Sequence, residues 1–469
     1  MFNKYIEINK RNIINSICDL ITYPSISTPN TNSNFPFGKA CSDSLNYFIN
    51  LANSLGFRTK NVDGYCGYAE FGEGDELIGI IGHLDVVPAK EEDWDFSPFV
   101  PTITNNRIYG RGAIDNKGPV IASLYAMKAV YDYCNENNIK INKRVRLIVG
   151  LNEEKDWKCI NYYKEHEELP TIGFSPDADF PCIYAEKGVL SLIISDKLFN
   201  DLPIQIESID CANNAINVVP EFCSIILRID NKIDMNYLIN VLKNSISKYN
   251  YEIDIYKIDN SIIKLTSYGV SSHSAHPELG VNAISKLLII LNDLFNELNV
   301  NFPLLSTFCK YIGDDYLGTN MNINFTDESG HLTLNTSKLY IENNKLHIGI
   351  NLRIPIKTTI MQVVDIFNKI FNNFNVTVLS SIEPLYIAKN SKLVTTLCDI
   401  FNQTCGTEYK PIAIGGATYS RAFANCVSFG MNFPGDKDMC HQVDEFIDIN
   451  KLFLATNIYA KAIYKLLEK

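Results

Sequence analysis

Histidines and carboxylates stand at the ends of short apolar runs in several places along this 469-residue chain. The run Leu77-Ile78-Gly79-Ile80-Ile81 delivers Gly82-His83-Leu84-Asp85, and a later turn delivers Gly110-Arg111-Gly112-Ala113-Ile114-Asp115-Asn116-Lys117-Gly118. On an extended segment His83 and Asp85 point the same way, so one can hold a metal while the other fixes the imidazole tautomer through its second nitrogen. Asp115, between glycines and just before a helical pattern from Pro119 to Cys134, would reach the same pocket from a loop. The run Arg144 to Leu151 ends in Asn152-Glu153-Glu154. Two adjacent carboxylates at a strand end repel each other unless a cation or a proton lies between them. They would also suit a solvated helix N-terminus, since Asp156 to Glu165 looks helical. A third run, Thr171 to Ser175, stops at Pro176-Asp177-Ala178-Asp179. Any one of these residues alone reads as a surface carboxylate or a satisfied histidine; three strands ending in carboxylates point to a cation site.

The elements that must position them form an α/β pattern. Helical spacing covers Tyr5 to Tyr23 and Lys39 to Leu55, and Phe57 to Phe71 alternates like a hairpin around Asp63-Gly64. The buried strands then follow, with their carboxyl ends where open α/β sheets place ligands. From about Glu186 short alternating segments and helices replace the strand-loop-helix rhythm. Ile225 to Asp230, a helical stretch, then Tyr251 to Ile255 resembles Ile350 to Pro355, a helical stretch, then Val376 to Leu379. Two β-α-β units of one design suggest an α+β domain built by duplication. Between them Gly269 to Ala283 carries His273 and His276 on a loop, with a helix start expected at Val281. From Glu383 the first rhythm returns, with Pro411 to Ile414, Gly415-Gly416, the strand Val427 to Gly430, and Cys440-His441-Gln442-Val443-Asp444-Glu445. The expected organisation is a catalytic domain in two parts, 1–185 and 383–469, interrupted by an inserted domain at 186–382.

Composition narrows the class. Hydrophobic residues make up 46% and charged residues 20%, as in ordinary soluble globular proteins. Basic residues number 42 against 53 acidic, a net charge of -11, which argues against nucleic-acid or anionic-membrane partners and suits a cation-binding pocket. Thirteen cysteines without a Cys-x-x-Cys pair read as reduced core thiols. The N-terminus lacks the apolar core of a signal peptide, and no apolar run is long enough to span a bilayer. A cytoplasmic protein is expected.

Together, Gly-His-x-Asp-Val-Val-Pro at 82–88 and Gly-Arg-Gly-x-x-Asp-x-Lys-Gly at 110–118 resemble the M20 family of metallopeptidases. Within it the likeness is to the branch of bacterial cytosolic dipeptidases, of the Xaa-His dipeptidase or carnosinase-like kind. It runs from Pro24-Ser25-Ile26-Ser27 to the His441 segment. The resemblance implies a zinc-exopeptidase-like catalytic domain, a central mixed sheet flanked by helices, with an inserted lid of two ferredoxin-like repeats. It implies that His83 and Asp177 bind one zinc, Glu154 and His441 the other, and that Asp115 bridges them. Asp85 would orient His83, Glu153 would be the general base, and His273 would reach the oxyanion from the lid. Asn217 and Arg353 match substrate-binding positions of the lid, and Gly416 matches the loop that grips the substrate's C-terminal end. Two departures stand out: Asn152 replaces the usual aspartate before the paired glutamates, and Lys155-Asp156 replaces a small-residue continuation.

The chemistry has reasons for these residue types. Amide hydrolysis near neutral pH needs a stronger nucleophile than water and a cation for the carbonyl oxygen, and two divalent ions about 3.5 to 4 Å apart supply both. A shared carboxylate must hold that spacing against the repulsion of the ions, which suits Asp115. Imidazole and carboxylate ligands fit zinc, with manganese or cobalt as alternatives. Neighbouring side chains point differently, so Glu153 is not a ligand if Glu154 is one; it is then free to take a proton from the metal-bridging water and pass it to the leaving amine. The expected activity is a dipeptidase working on small dipeptides, as a monomer because a doubled lid can close the site within one chain. The rival readings are an N-acyl-amino-acid hydrolase with the same metals, a deacetylase or desuccinylase, and a catalytically silent binding protein.

Overall fold

All seven residues of the Leu77–His83 strand are buried, as the middle of a parallel sheet requires. The computed structural model describes residues 1–28, 35–198, 202–211 and 215–468. The chain divides into two compact units: Met1–Tyr184 with Ile387–Ile412 and Thr418–Lys469, and Ala185–Tyr386 with Ala413–Ala417. Ala413–Ala417 thus groups with the inserted unit, where the sequence places it in the flanking domain. The reason is hydrogen bonding to its main chain: Ile414 O accepts the Lys187 N–H at 2.9 Å, and Gly415 O accepts Arg353 Nη1 at 3.1 Å.

In the first unit the sheet runs Arg58–Val62, Cys66–Gly72, Arg144–Gly150, Leu77–His83, Ile172–Ser175, Cys426–Ser428. The first two form the expected antiparallel hairpin, turning through Asp63 and Gly64 at φ 49° and 75°. The last four are mutually parallel, so His83 and the residues following Gly150 and Ser175 emerge at one end of the sheet. The helices Asn3–Ile21, Lys117–Glu136 and Ile449–Leu467 pack on one another. Lys117 is fully buried at the start of the second of these, and its ammonium donates to Leu20 O at 2.9 Å and Tyr23 O at 2.7 Å, closing the end of the first helix. Burial lowers its pKa to about 7. The conspicuous lysine of the 110–118 motif therefore serves the scaffold. Ser25 and Ser27 also serve it: Ser25 Oγ donates to Leu84 O at 2.6 Å, and Ser27 Oγ accepts Asn152 Nδ2 at 2.8 Å.

The second unit holds two four-stranded antiparallel sheets. One runs Ile204–Cys211, Phe222–Ile229, Ile262–Tyr268, Ile253–Lys257; the other runs Thr333–Glu342, Lys345–Ile354, Gly188–Lys197, Asn375–Ile382. In each, a hairpin leads into a helix, Met235–Tyr249 or Ile360–Ile370, and the strand after the helix takes the far edge. One apolar core containing Leu190, Leu227, Leu265, Leu291 and Ile350 serves both sheets. The helix expected to begin at Val281 spans Ala283–Glu297, because Asn282 caps it by accepting the Ser285 N–H at 2.9 Å. Cys211 and Cys223 face each other in register, with Cα atoms 4.1 Å apart, and are joined as a disulfide, unlike the reduced state expected of every cysteine. The other eleven are free. Among the described residues no helix is long and apolar enough to cross a membrane.

Gly79 and Gly173 face each other where two of the parallel strands pair. A Cβ on Gly173 would lie 2.2 Å from the Gly79 carbonyl oxygen, a main-chain atom that cannot swing aside. Gly173→Ala is expected to destabilise the protein by about 1–3 kcal/mol, seen as a lower urea midpoint; an unchanged midpoint would refute the close-approach argument.

Candidate metal centre

The parallel strands set the site. His83 is the last residue of its strand; Glu153 and Glu154 follow the Arg144–Gly150 strand, and Asp177 follows Ile172–Ser175. Asp115 lies in the turn before the Lys117–Glu136 helix, and His441 stands at φ 64° in the approach to the last helix. These six side chains, and Asp85, belong to the first unit.

Their arrangement centres on Asp115. Its Oδ1 lies 3.1 Å from His83 Nε2 and its Oδ2 3.1 Å from His441 Nε2, so the two carboxylate oxygens face different imidazoles. Asp177 Oδ1 is 3.5 Å from His83 Nε2, and Glu154 Oε2 is 3.0 Å from His441 Nε2. Donor atoms of His83, Asp115 and Glu154 lie within 4.8 Å of one another, as do those of His83, Glu153 and Asp177. The five expected ligands are contiguous, with Glu153 beside them.

Asp85 meets the imidazole through its main chain and also serves the neighbouring strand end. His83 Nδ1 donates to the main-chain oxygen of Asp85 at 2.9 Å, which leaves Nε2 facing Asp115 and Asp177. The Asp85 carboxylate is 3.6 Å from that nitrogen. Its oxygens accept the N–H groups of Glu153 and Glu154, each at 3.1 Å.

Burial is the largest influence on Asp115, Glu153, Glu154 and Asp177. It raises Glu153 well above the usual carboxylate range, with Asp177, Glu154 and Asp85 adding to it and His83 opposing. It pushes Glu154 up to about 7, reinforced by Asp115 and opposed by His441. It raises Asp177 as well. Only for Asp115 is burial outweighed, by hydrogen bonds to His441 and His83 that hold it low. The imidazoles answer in kind. Burial disfavours the charged His441 ring, but Asp115 and Glu154 overcome it and raise the pKa to about 11. His83 is likewise raised, by Asp177 and Asp115 against burial. Such a surplus of buried acid over base is what divalent cations relieve, and imidazole with carboxylate is a donor set that zinc takes. The residues fit a metal centre.

Two further residues hold this cluster and were not legible as functional. Asn116 Oδ1 accepts the His83 N–H at 3.3 Å while its Nδ2 donates to Pro176 O at 3.1 Å, tying together the strand ends that lead to His83 and Asp177. Gly82 makes room for it, since a Cβ there would lie 2.5 Å from Asn116 Oδ1. Tyr419 is buried with its ring edge-on to His83 at 6.2 Å. The signal for Asn116 was its place directly after Asp115; Tyr419 carried none.

The remaining expected residues belong to the second unit. Asn217 O accepts the Ser274 N–H at 2.9 Å, and Val218 pairs with His273 across a two-stranded ribbon. His273 Nδ1 accepts the Ala275 N–H at 3.2 Å, which places the neutral ring's proton on Nε2. His276 instead faces Glu278 at 3.1 Å. Arg353 is bonded to Gly415, next to Gly416, and a Cβ on Gly415 would lie 2.8 Å from Ala275 Cβ. Asn217, His273, Arg353 and Gly416 are therefore gathered in one neighbourhood of that unit.

Residues 79–465 match peptidase family M20/M25/M40. A Bacillus subtilis (strain 168) protein named "Putative dipeptidase YtjP" is 37% identical over 437 residues, 92% of each chain. A Staphylococcus aureus (strain MW2) protein named "Putative dipeptidase MW1694" is 34% identical over 479 residues, 99% of each chain. Human carnosine dipeptidase 1 is alike in fold, with a TM-score of 0.59 and 14% identity over 100% of this chain and 98% of that one. The Saccharomyces cerevisiae dipeptidase Dug1p is similar at a TM-score of 0.58 and 12% identity, over 100% and 98%. With the family match covering both strand-end motifs and the His441 segment, the chain belongs to peptidase family M20/M25/M40 and is a metallopeptidase.

Proposed function

We propose that the protein is a dinuclear-metal dipeptidase that hydrolyses the peptide bond of dipeptides. The observation that carries this reading is the split of Asp115, one oxygen toward His83 and the other toward His441. His83 and Asp177 would hold one ion, Glu154 and His441 the other, and Asp115 both, with zinc the ion the donors suit best. When bound, such a pair polarises the scissile carbonyl and makes water a stronger nucleophile.

The rest falls to the chain's own groups. Glu153 accepts the proton of the attacking water and passes it to the amine nitrogen as the C–N bond breaks, leaving a free amine and a carboxylate. Asp85 keeps Glu153 and Glu154 in place through their amides. His273, with its proton on Nε2, donates to the developing oxyanion. Asn217 and Arg353 bind the substrate, and the main chain at Gly416 receives its C-terminal end. The names of the two relatives aligned along nearly the whole chain support dipeptides as the substrate class.

The test is a panel of dipeptides and a panel of N-acetyl amino acids, each with and without a chelator. Chelator-sensitive release of amino acids from dipeptides is expected. Turnover of the acetylated panel alone would overturn the substrate class, and no turnover of either would overturn catalysis. Glu153→Gln is expected to retain both ions by metal analysis while kcat falls about 100- to 10,000-fold; normal turnover would end its assignment as the base. His273→Ala should lower kcat about 100- to 1,000-fold with metal content unchanged, and a loss confined to KM would remove it from the oxyanion role.

A further inference from the structure

Glu445 lies four residues beyond His441 and has no exposed surface. Four donors converge on its carboxylate. Oε2 accepts Arg111 Nη1 at 2.8 Å and the Gly112 N–H at 3.0 Å, while Oε1 accepts the N–H groups of Ile114 at 2.8 Å and Asp115 at 3.1 Å. Its main-chain oxygen accepts the Gly110 N–H at 2.9 Å. Arg111, paired with it, also sends Nη2 toward His441 O at 3.4 Å and lies over the Trp94 ring at 4.9 Å.

We propose that Glu445 is a positioning residue of the metal centre, fixing the turn that carries Asp115 to the segment that carries His441. The proposal rests on the reading of Asp115 and His441 as ligands. Asp115 must face two imidazoles with its two oxygens at once, a placement that a small rotation of its backbone would spoil. Glu445 grips that backbone at Gly112, Ile114 and Asp115, and its Arg111 partner reaches the carbonyl of the opposing ligand. One carboxylate thereby couples two ligands that are 326 residues apart in sequence. Glu445 touches neither imidazole; its effect passes through the geometry of Asp115. Partners of this kind behind a ligand typically matter by about 10- to 100-fold in metal affinity or activity.

A structural role alone would look different, and the same unit supplies the comparison. Glu70 and Arg146 form another buried ion pair, Oε2 to Nη2 at 2.6 Å, with no bond to any of the ligands. The experiment measures zinc affinity by chelator competition, the melting temperature of the metal-free protein, and kcat and KM, for Glu445→Gln and Glu70→Gln. Glu445→Gln should weaken zinc binding by about 10- to 100-fold and lower kcat more than it changes KM, whereas Glu70→Gln should lower the melting temperature and leave zinc affinity at the wild-type value. Wild-type zinc affinity in Glu445→Gln, or equal weakening in both variants, would overturn the proposal. Should Glu445→Gln not fold, Glu445→Asp keeps the charge and withdraws the carboxylate by one methylene; it should still weaken zinc, and unchanged affinity would count against the idea. A wild-type protein that binds no divalent ion would remove the metal reading itself, an outcome distinct from a zinc-binding wild type with an indifferent Glu445.

Discussion

Like charge crowded into a buried space is the constraint on which this structure turns. Asp115, Glu153, Glu154 and Asp177 converge on two imidazoles at one end of a parallel sheet. Two like unit charges about 4 Å apart repel by roughly 4 kcal/mol at the effective dielectric of a protein's outer layers. The cluster is held because Asp115 and Asp177 face His83 while Asp115 and Glu154 face His441, pairs whose shared protons cations would displace. The charge surplus is the reason the donors suit ions, and holding it together is the task of the surrounding scaffold.

That scaffold is economical in its parts. Parallel strands end together, so adjacent strands supply a histidine, a pair of glutamates and an aspartate without any long loop having to fold back. Gly79 and Gly173 let two of those strands approach closely, and Gly82 leaves space for the Asn116 amide that joins their ends. The buried Lys117 and the serines at 25 and 27 brace the same end from the first helix and its exit. Each of these is a polar group satisfied inside the protein, where an unsatisfied one would be destabilising.

How much of this was legible follows from what kind of signal each residue leaves. His83, Asp115, Glu153, Glu154, Asp177 and His441 are polar residues next to apolar runs, so their types and positions mark them before any contact is known. The buried strands that lead to these residues were legible from the same runs. Asn116, Tyr419 and Glu445 act through partners distant in sequence, and nothing in their immediate neighbours announces those partners. The bonds of the Asp85 carboxylate to two amides lay beyond the sequence for a related reason: spacing shows that it is near His83, while those bonds depend on how the next strand arrives. Ala413–Ala417 joins the inserted unit through Lys187 and Arg353, a pairing no local pattern encodes. The helix expected from Asp156 begins at Lys158, because Trp157 takes a left-handed conformation at φ 58°.

The two amides held by Asp85 have a consequence of their own. Glu153 and Glu154 hang from one carboxylate, so they share a mount as two tools share a handle. Any displacement of the Asp85 carboxylate acts on both residues at once, so the offset between their main chains is set by one group rather than by two independent anchors.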